Sequence, residues 1–212
     1  MIFLIYIIKY FFGWLKAPSS LGNLKGYVDY LLIGFGEGAL CLFALFLFLK
    51  IKSSSPRDLG LTGLTIKKFL IGLTGGVVLF FLVGLLGNLL VSYLGEPKPQ
   101  SFGLVVAGAS SVWQLIPLFV LGGIVVPLKE EILFRGLIFP PLRHSYGRGY
   151  GILLTALFFG VLHLDLIRFL PLFFGGLILT WLYEKTKSLW TPIIAHGTWN
   201  TLMLILMWLQ RG

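Results

Sequence analysis

Residues 118–140 read Leu-Phe-Val-Leu-Gly-Gly-Ile-Val-Val-Pro-Leu-Lys-Glu-Glu-Ile-Leu-Phe-Arg-Gly-Leu-Ile-Phe-Pro. Glu130, Glu131 and Arg135 thus sit inside an apolar run long enough to cross a bilayer, which takes about 20 residues. An ionised side chain at the centre of a membrane helix costs roughly 2.5–3.5 kcal/mol on insertion scales. Three of them together need a reason. Two further apolar stretches each carry a histidine, His163 and His196, and Asn200 follows the second by one helical turn. The pattern reads as a hydrolytic site sunk in a membrane.

Working outward, the whole chain is of the same kind. Of its 212 residues 57% are hydrophobic and 12% charged, where a soluble domain has about 25% charged, and the mean hydropathy is +0.93. Long continuous runs such as Phe69–Leu94 exclude a membrane β-barrel, whose strands alternate over about ten residues. The expected fold is all-α, a polytopic transmembrane bundle of about six to eight helices forming one integral membrane domain, 1–212. Apolar segments fall at 2–15, 28–49, 69–94, 113–142, 150–167, 169–184 and 189–209. The first is short for a span and holds Lys9. No Ala-x-Ala-like cleavage site clearly follows, which favours a retained helix over a cleaved signal peptide.

The net charge of +9 does not imply nucleic acid, because the 17 Lys and Arg are scattered between apolar runs rather than gathered on one face. They read as topogenic. The loop Lys50–Lys68 carries five positive residues and one negative, and is expected to be cytoplasmic. Threading from it puts Glu96–Trp113 outside, Arg143–Arg148 inside, Asp165–Arg168 outside, and Lys185 with Lys187 inside. Arg168 is the main positive residue on the wrong side, and Asp165 offsets it. At about 1.5 Å per residue, Glu130, His163, Asn200 and His196 come to roughly 18, 20, 16 and 10 Å from the inner ends of their segments. Their depths overlap.

Each signal has a blander reading. Glu131 and Arg135 at i and i+4 would be an ordinary surface pair in a soluble helix, but the flanks here are too apolar for a solvated face. Pro127 can start or kink a helix and loosen backbone groups beside a cavity. His163, four residues after Phe159, could be a hydrogen-bonded core histidine. His196 with Asn200 resembles a site for polarising a carbonyl oxygen. His144 lies in a basic loop and receives no role. Glu37, within Gly34-Phe-Gly-Glu-Gly38, is expected to cap a polar pocket or pair with a neighbouring Lys or Arg, while the flanking glycines suit close helix contact. Gly175 and Gly176 read likewise as packing positions. Cys41, the single cysteine, permits no internal disulfide and no Cys-based zinc cluster.

In chain order the motifs are Glu130-Glu131-x-x-x-Arg135-Gly136, Phe159-x-x-x-His163 and Ser188-Leu-Trp-Thr-Pro-Ile-Ile-Ala-His196-x-x-x-Asn200. This set resembles the intramembrane proteases of the CAAX protease and bacteriocin-processing family, also called the Abi or type II CAAX prenyl endopeptidase family, over a core of about 113–208. Arg57-Asp-Leu-Gly-Leu-Thr62 resembles the loop that precedes that core in bacterial members. The resemblance implies an endopeptidase in which Glu130 is the principal catalytic carboxylate and His163 helps it hold and activate a water. Glu131 and Arg135 would order the site, and His196 with Asn200 would stabilise the oxyanion. It further implies a membrane-associated protein or peptide substrate, prenylated in some members, a cell (inner) membrane location and a site open to the cytoplasmic side. No cofactor is favoured. Glu plus two His could also bind zinc with one open position, and no His-Glu-x-x-His helix settles the matter. Two non-proteolytic alternatives stand beside this reading: a small transporter using the buried Glu, His and Arg as a relay, and a non-catalytic membrane scaffold.

Overall fold

Long apolar runs fold as helices because a bilayer offers no partner for backbone N–H and C=O groups, which must then bond within the segment. The computed structural model describes residues 23–97 and 99–210, so the expected first segment, 2–15, lies outside the described residues. Helix α1 spans Leu24–Ile51 and α2 Ile66–Leu94, followed by a short α3, Ser101–Ala107. A continuous helical stretch then runs through α4 (Val112–Val120), a π-helical segment (Leu121–Val125), α5 (Val126–Glu131), a second π-helical segment (Ile132–Ile138) and α6 (Phe139–Val161). Helices α7 (Leu166–Thr186) and α8 (Trp190–Leu209) complete the bundle. Side-chain caps start several of them: Asn23 accepts from Gly26 N–H, Thr65 from Lys68 N–H and Asp165 from Arg168 N–H.

Five helical stretches are long and apolar enough to cross a membrane, the third being Val112–Val161. That one makes two arms. Gly147 leaves helical geometry at φ 79° and ψ 173°, a conformation open to glycine without a Cβ penalty, and the chain doubles back. A Cβ on Gly151 would stand 2.8 Å from Arg143 Cα, so the arms begin in backbone contact. The expected segments 113–142 and 150–167 are these arms, although the expected loop between them reduces to a one-residue break. The bundle is all-helical, and it turns apolar side chains such as Leu32, Phe43, Val78 and Phe81 outward, as a lipid-facing surface requires.

Glycines set how closely the helices approach. A Cβ on Gly34 would meet Leu121 at 2.6 Å and one on Gly38 would meet Val125 at 2.5 Å, which seats α1 on the first π segment. Gly76 would meet Ala195 O and Thr198 Cβ, both at 2.5 Å, so α2 and α8 lie backbone to backbone. Gly175 and Gly176 face Trp199 and Ala156, as expected of packing positions.

The two ends of the bundle differ. At one, Arg143 and Lys187 bond Glu184 at 3.0 and 2.6 Å, and Gly60 O accepts from Leu189 N–H at 2.8 Å. Leu49, Leu59, Ile132, Leu189 and Ile193 form an apolar cluster beneath it. At the other, Tyr27 Oη donates to Gln114 O at 2.8 Å. Asp165 and Arg168 pair there, as the threading expects of the one misplaced arginine.

Candidate active site

Lipid-buried charge has to be neutralised by a partner, and the partners here come from three parts of the chain. Arg135, fully buried, donates through one terminal nitrogen to Glu131 Oε1 at 2.9 Å, through Nε to Thr180 Oγ1 at 3.2 Å and through the other terminal nitrogen to Gly176 O at 3.1 Å. Its guanidinium also lies 4.9 Å from the centre of the Phe159 ring. Glu131 Oε1 accepts a second bond from His196 Nδ1 at 2.8 Å. Because a carboxylate only accepts, Nδ1 carries the proton and Nε2 is the ring's other functional face. That Nε2 lies 3.9 Å from Glu130 Oε2.

His163 and Asn200 are oriented by backbone carbonyls. His163 Nδ1 donates to Phe159 O at 2.6 Å, so in the neutral ring Nε2 is the acceptor. It sits just past the end of α6, rather than inside a helix running to 167 as the segment reading has it. Asn200 Nδ2 donates to Gly122 O at 2.9 Å. That carbonyl belongs to the first π segment, where the i→i+5 pattern alters the ordinary ladder, and Pro127 supplies no N–H to Gly123 O four residues back. Pro127 therefore loosens the ladder without breaking the helix. The freed Gly123 O faces α8, where a Cβ on Gly197 would come within 2.3 Å of it.

A cavity of about 520 Å³ joins these groups, with Glu130, His163, His196 and Asn200 all in its wall. Glu130 is 2% exposed and faces this cavity rather than acyl chains. From there the lining passes Asn88 on α2 and reaches the exposed Glu96, Pro99 and Gln100 together with Arg168. The opening is thus at the end opposite Lys50–Lys68 and Arg143–Arg148. The physical cause is the direction of the chain: Glu130 is reached from the α4 end, and His163 lies where α6 terminates at that same end. The sequence threading assigns this end to the outside, whereas the family resemblance implies a site open to the cytoplasmic side.

Residues 112–202 match the family model described as type II CAAX prenyl endopeptidase Rce1-like. That match covers less than half of the chain. It contains Glu130, Glu131, Arg135, His163, His196 and Asn200, whereas Asn88, Glu96 and Gln100 of the cavity wall precede it. Among similar proteins, "Putative membrane peptidase YdiL" of Bacillus subtilis (strain 168) is 36% identical over 96 residues, covering 45% of this chain and 39% of its own. The "UPF0177 protein YxdF" of Lactococcus lactis subsp. lactis (strain IL1403) is 32% identical over 79 residues, covering 37% of this chain and 43% of its own. The chain thus spans about two fifths of the length of each of these relatives. No solved structure matches. Five helical stretches long and apolar enough to cross a membrane make the chain an integral multi-pass membrane protein with a segment similar to the Rce1-like model.

Several site residues escape a linear reading of the Rce1-like segment. Thr180 and the Gly176 carbonyl hold Arg135, yet both lie in the apolar middle of α7, where a threonine four residues after a glycine is a faint signal. Lys129, next to the catalytic candidates, is 3% exposed and pairs with Glu37 at 3.6 Å, the neighbouring cation expected for that acid. His144 is exposed and outside the cavity.

Proposed function

We propose that the chain is an intramembrane endopeptidase that hydrolyses a peptide bond of a membrane-associated protein or peptide with Glu130 as general base. The observation that carries this reading is the shared cavity: a buried carboxylate, two imidazoles fixed in defined tautomers and an amide donor face one space. Glu130 and His163 hold the water. As the water oxygen attacks the scissile carbonyl carbon, Glu130 takes its proton. The developing oxyanion receives the second N–H of Asn200, the first being committed to Gly122 O, with the His196 ring beside it. The C–N bond then breaks, and the proton held by Glu130 passes to the departing amine. Glu131 and Arg135 touch no substrate in this scheme and act by holding His196.

The reading is metal-free. Among the described residues no three His, Cys, Asp or Glu side chains converge as a metal-holding group, and one Glu131 oxygen serves both Arg135 and His196. The scheme takes Glu130 itself, rather than a metal, as the group that activates the water. Against a carrier, the chain shows no clear repeated halves of the kind that build alternating-access folds.

The test is cleavage of a membrane-peptide library by purified protein, comparing wild type with Glu130→Ala and His163→Ala. Loss of all cleavage in both variants, with helicity unchanged, supports the assignment, and either variant cutting at the wild-type rate ends it.

A further inference from the structure

The cavity lining reaches the exposed Glu96, Pro99 and Gln100 at one end of the bundle, and the charge distribution says which side of the membrane that end faces. Among the described residues the sealed end gathers nine basic side chains: Lys50, Lys52, Arg57, Lys67 and Lys68 on one loop, Arg143 and Arg148 at the Gly147 turn, and Lys185 and Lys187 after α7. Their common location is secured by the bonds of Arg143 and Lys187 to Glu184 and of Leu189 N–H to Gly60 O. The mouth end has two, Lys25 and Arg168, with Asp165 paired to the latter; the sequence of its loop adds Lys98. Short loops rich in Lys and Arg stay cytoplasmic, and acidic residues count for little in that rule. Among the described residues the bias is nine to two; counting also Lys16, Lys98 and Arg211, which flank the same segment ends in the sequence, makes it nine to five, and its direction holds.

We infer that the cavity opens on the non-cytoplasmic face, so that its substrate is a peptide segment presented there: an exported polypeptide or the outer-leaflet end of a membrane-anchored one. The substrate half of this inference rests on the endopeptidase reading, while the direction of the mouth does not. Wall chemistry agrees with an extended peptide arriving through the interface. Polar Asn88, Glu96 and Gln100 stand toward the mouth, and apolar Val83, Leu172 and Met203 line the passage to Glu130. On the cytoplasmic side, access is blocked by Leu189, fully buried, and Leu59, 6% exposed.

The experiment uses the full chain with Cys41→Ser, expressed in bacterial cells, carrying one added cysteine at a time. Gln100→Cys at the mouth and Met203→Cys in the passage are compared with Lys52→Cys and Arg148→Cys, using a membrane-impermeant sulfonated maleimide before and after permeabilisation. The expected result is labelling of Gln100→Cys and Met203→Cys in intact cells at least tenfold faster than of the other two, which react only after permeabilisation. The reverse pattern overturns the inference. Labelling requires no turnover, so the same set in a Glu130→Ala background separates access from chemistry. Proteomics of cells with active or Glu130→Ala protein then reads the substrate side. New Glu130-dependent termini in exported segments support the inference, and termini confined to cytoplasmic segments overturn it. Labelling as expected without any Glu130-dependent terminus counts against proteolysis and leaves the direction of the mouth standing.

Discussion

His196 Nδ1 donates to Glu131 Oε1 at 2.8 Å, and the same oxygen accepts from Arg135 at 2.9 Å. One carboxylate atom therefore ties the imidazole of α8 to the guanidinium of the second π segment. Glu131→Gln keeps the shape but removes the charge that orients both. It is expected to lower kcat by roughly 10–100-fold with KM little changed, a size typical of losing a partner that orients an active-site histidine. A Glu131→Gln variant with wild-type kcat and KM would show that Glu131 serves packing alone.

Glu130 Oε2 stands 3.9 Å from His196 Nε2, too far for a direct hydrogen bond, and both side chains line the cavity. Glu130→Gln preserves volume and removes the base, and should reduce cleavage by about 10²–10⁴-fold while thermal unfolding in detergent stays near wild type. Strong chelators should leave the wild-type rate intact. Inactivation by chelator with recovery on added zinc would replace the base mechanism with a metal one.

Arg135 neutralises Glu131 where neither is exposed. Removing one member of a buried pair leaves the other uncompensated and costs about 3–5 kcal/mol. Arg135→Leu should therefore lower the unfolding temperature strongly, and Arg135→Leu combined with Glu131→Leu should recover much of the loss without restoring activity. A single variant as stable as wild type would contradict the pairing.

The contact of α2 with α8 leaves no room at Gly76, where a Cβ would meet Ala195 O at 2.5 Å, whereas nothing lies within 4 Å of a Cβ on Gly36. Gly76→Ala is expected to destabilise by about 1–3 kcal/mol through overpacking. Gly36→Ala should be neutral or slightly stabilising, since alanine is the better helix former. Equal melting temperatures for the two would refute the close approach.

At the basic end, Ser55 donates its backbone N–H at 2.7 Å and its hydroxyl at 3.1 Å to Asp58 Oδ2. These bonds, the backbone one foremost, hold the Asp58 carboxyl below its ordinary value of 3.8. A depressed carboxylate pKa stabilises the folded turn fully above the unfolded value and loses that contribution as pH falls through the folded one. Hydrogen exchange at the Ser55 amide should thus be protected at neutral pH and lose protection below about pH 4, after correction for intrinsic rates. Asp58→Asn should reduce that protection at neutral pH without altering cleavage.

Much of this was legible in the chain itself. Runs such as Phe69–Leu94 had to be helices once a bilayer was inferred, because no other open structure satisfies the backbone there. Glu130, Glu131 and Arg135 stood out because charge in such a run is costly. Overlapping depths on separate segments were a correct sign that His163, His196 and Asn200 share a wall with Glu130. Thr180 and Gly176 could not be found this way, because a hydroxyl and a carbonyl carry no linear signature and acquire a role only when Arg135 is packed against α7.

The pattern of apolar runs and intramembrane charges determined the fold class and the motifs similar to the Rce1-like model, since hydropathy and charge are properties of residues taken singly. Which end the cavity opens toward was decided only by tertiary structure. That depends on how far α6 extends before His163, on where the π segments turn Gly122 O toward Asn200, and on which end the Leu59 and Leu189 cluster closes. Each is a relation between helices, set by packing across the bundle rather than by any stretch of sequence alone.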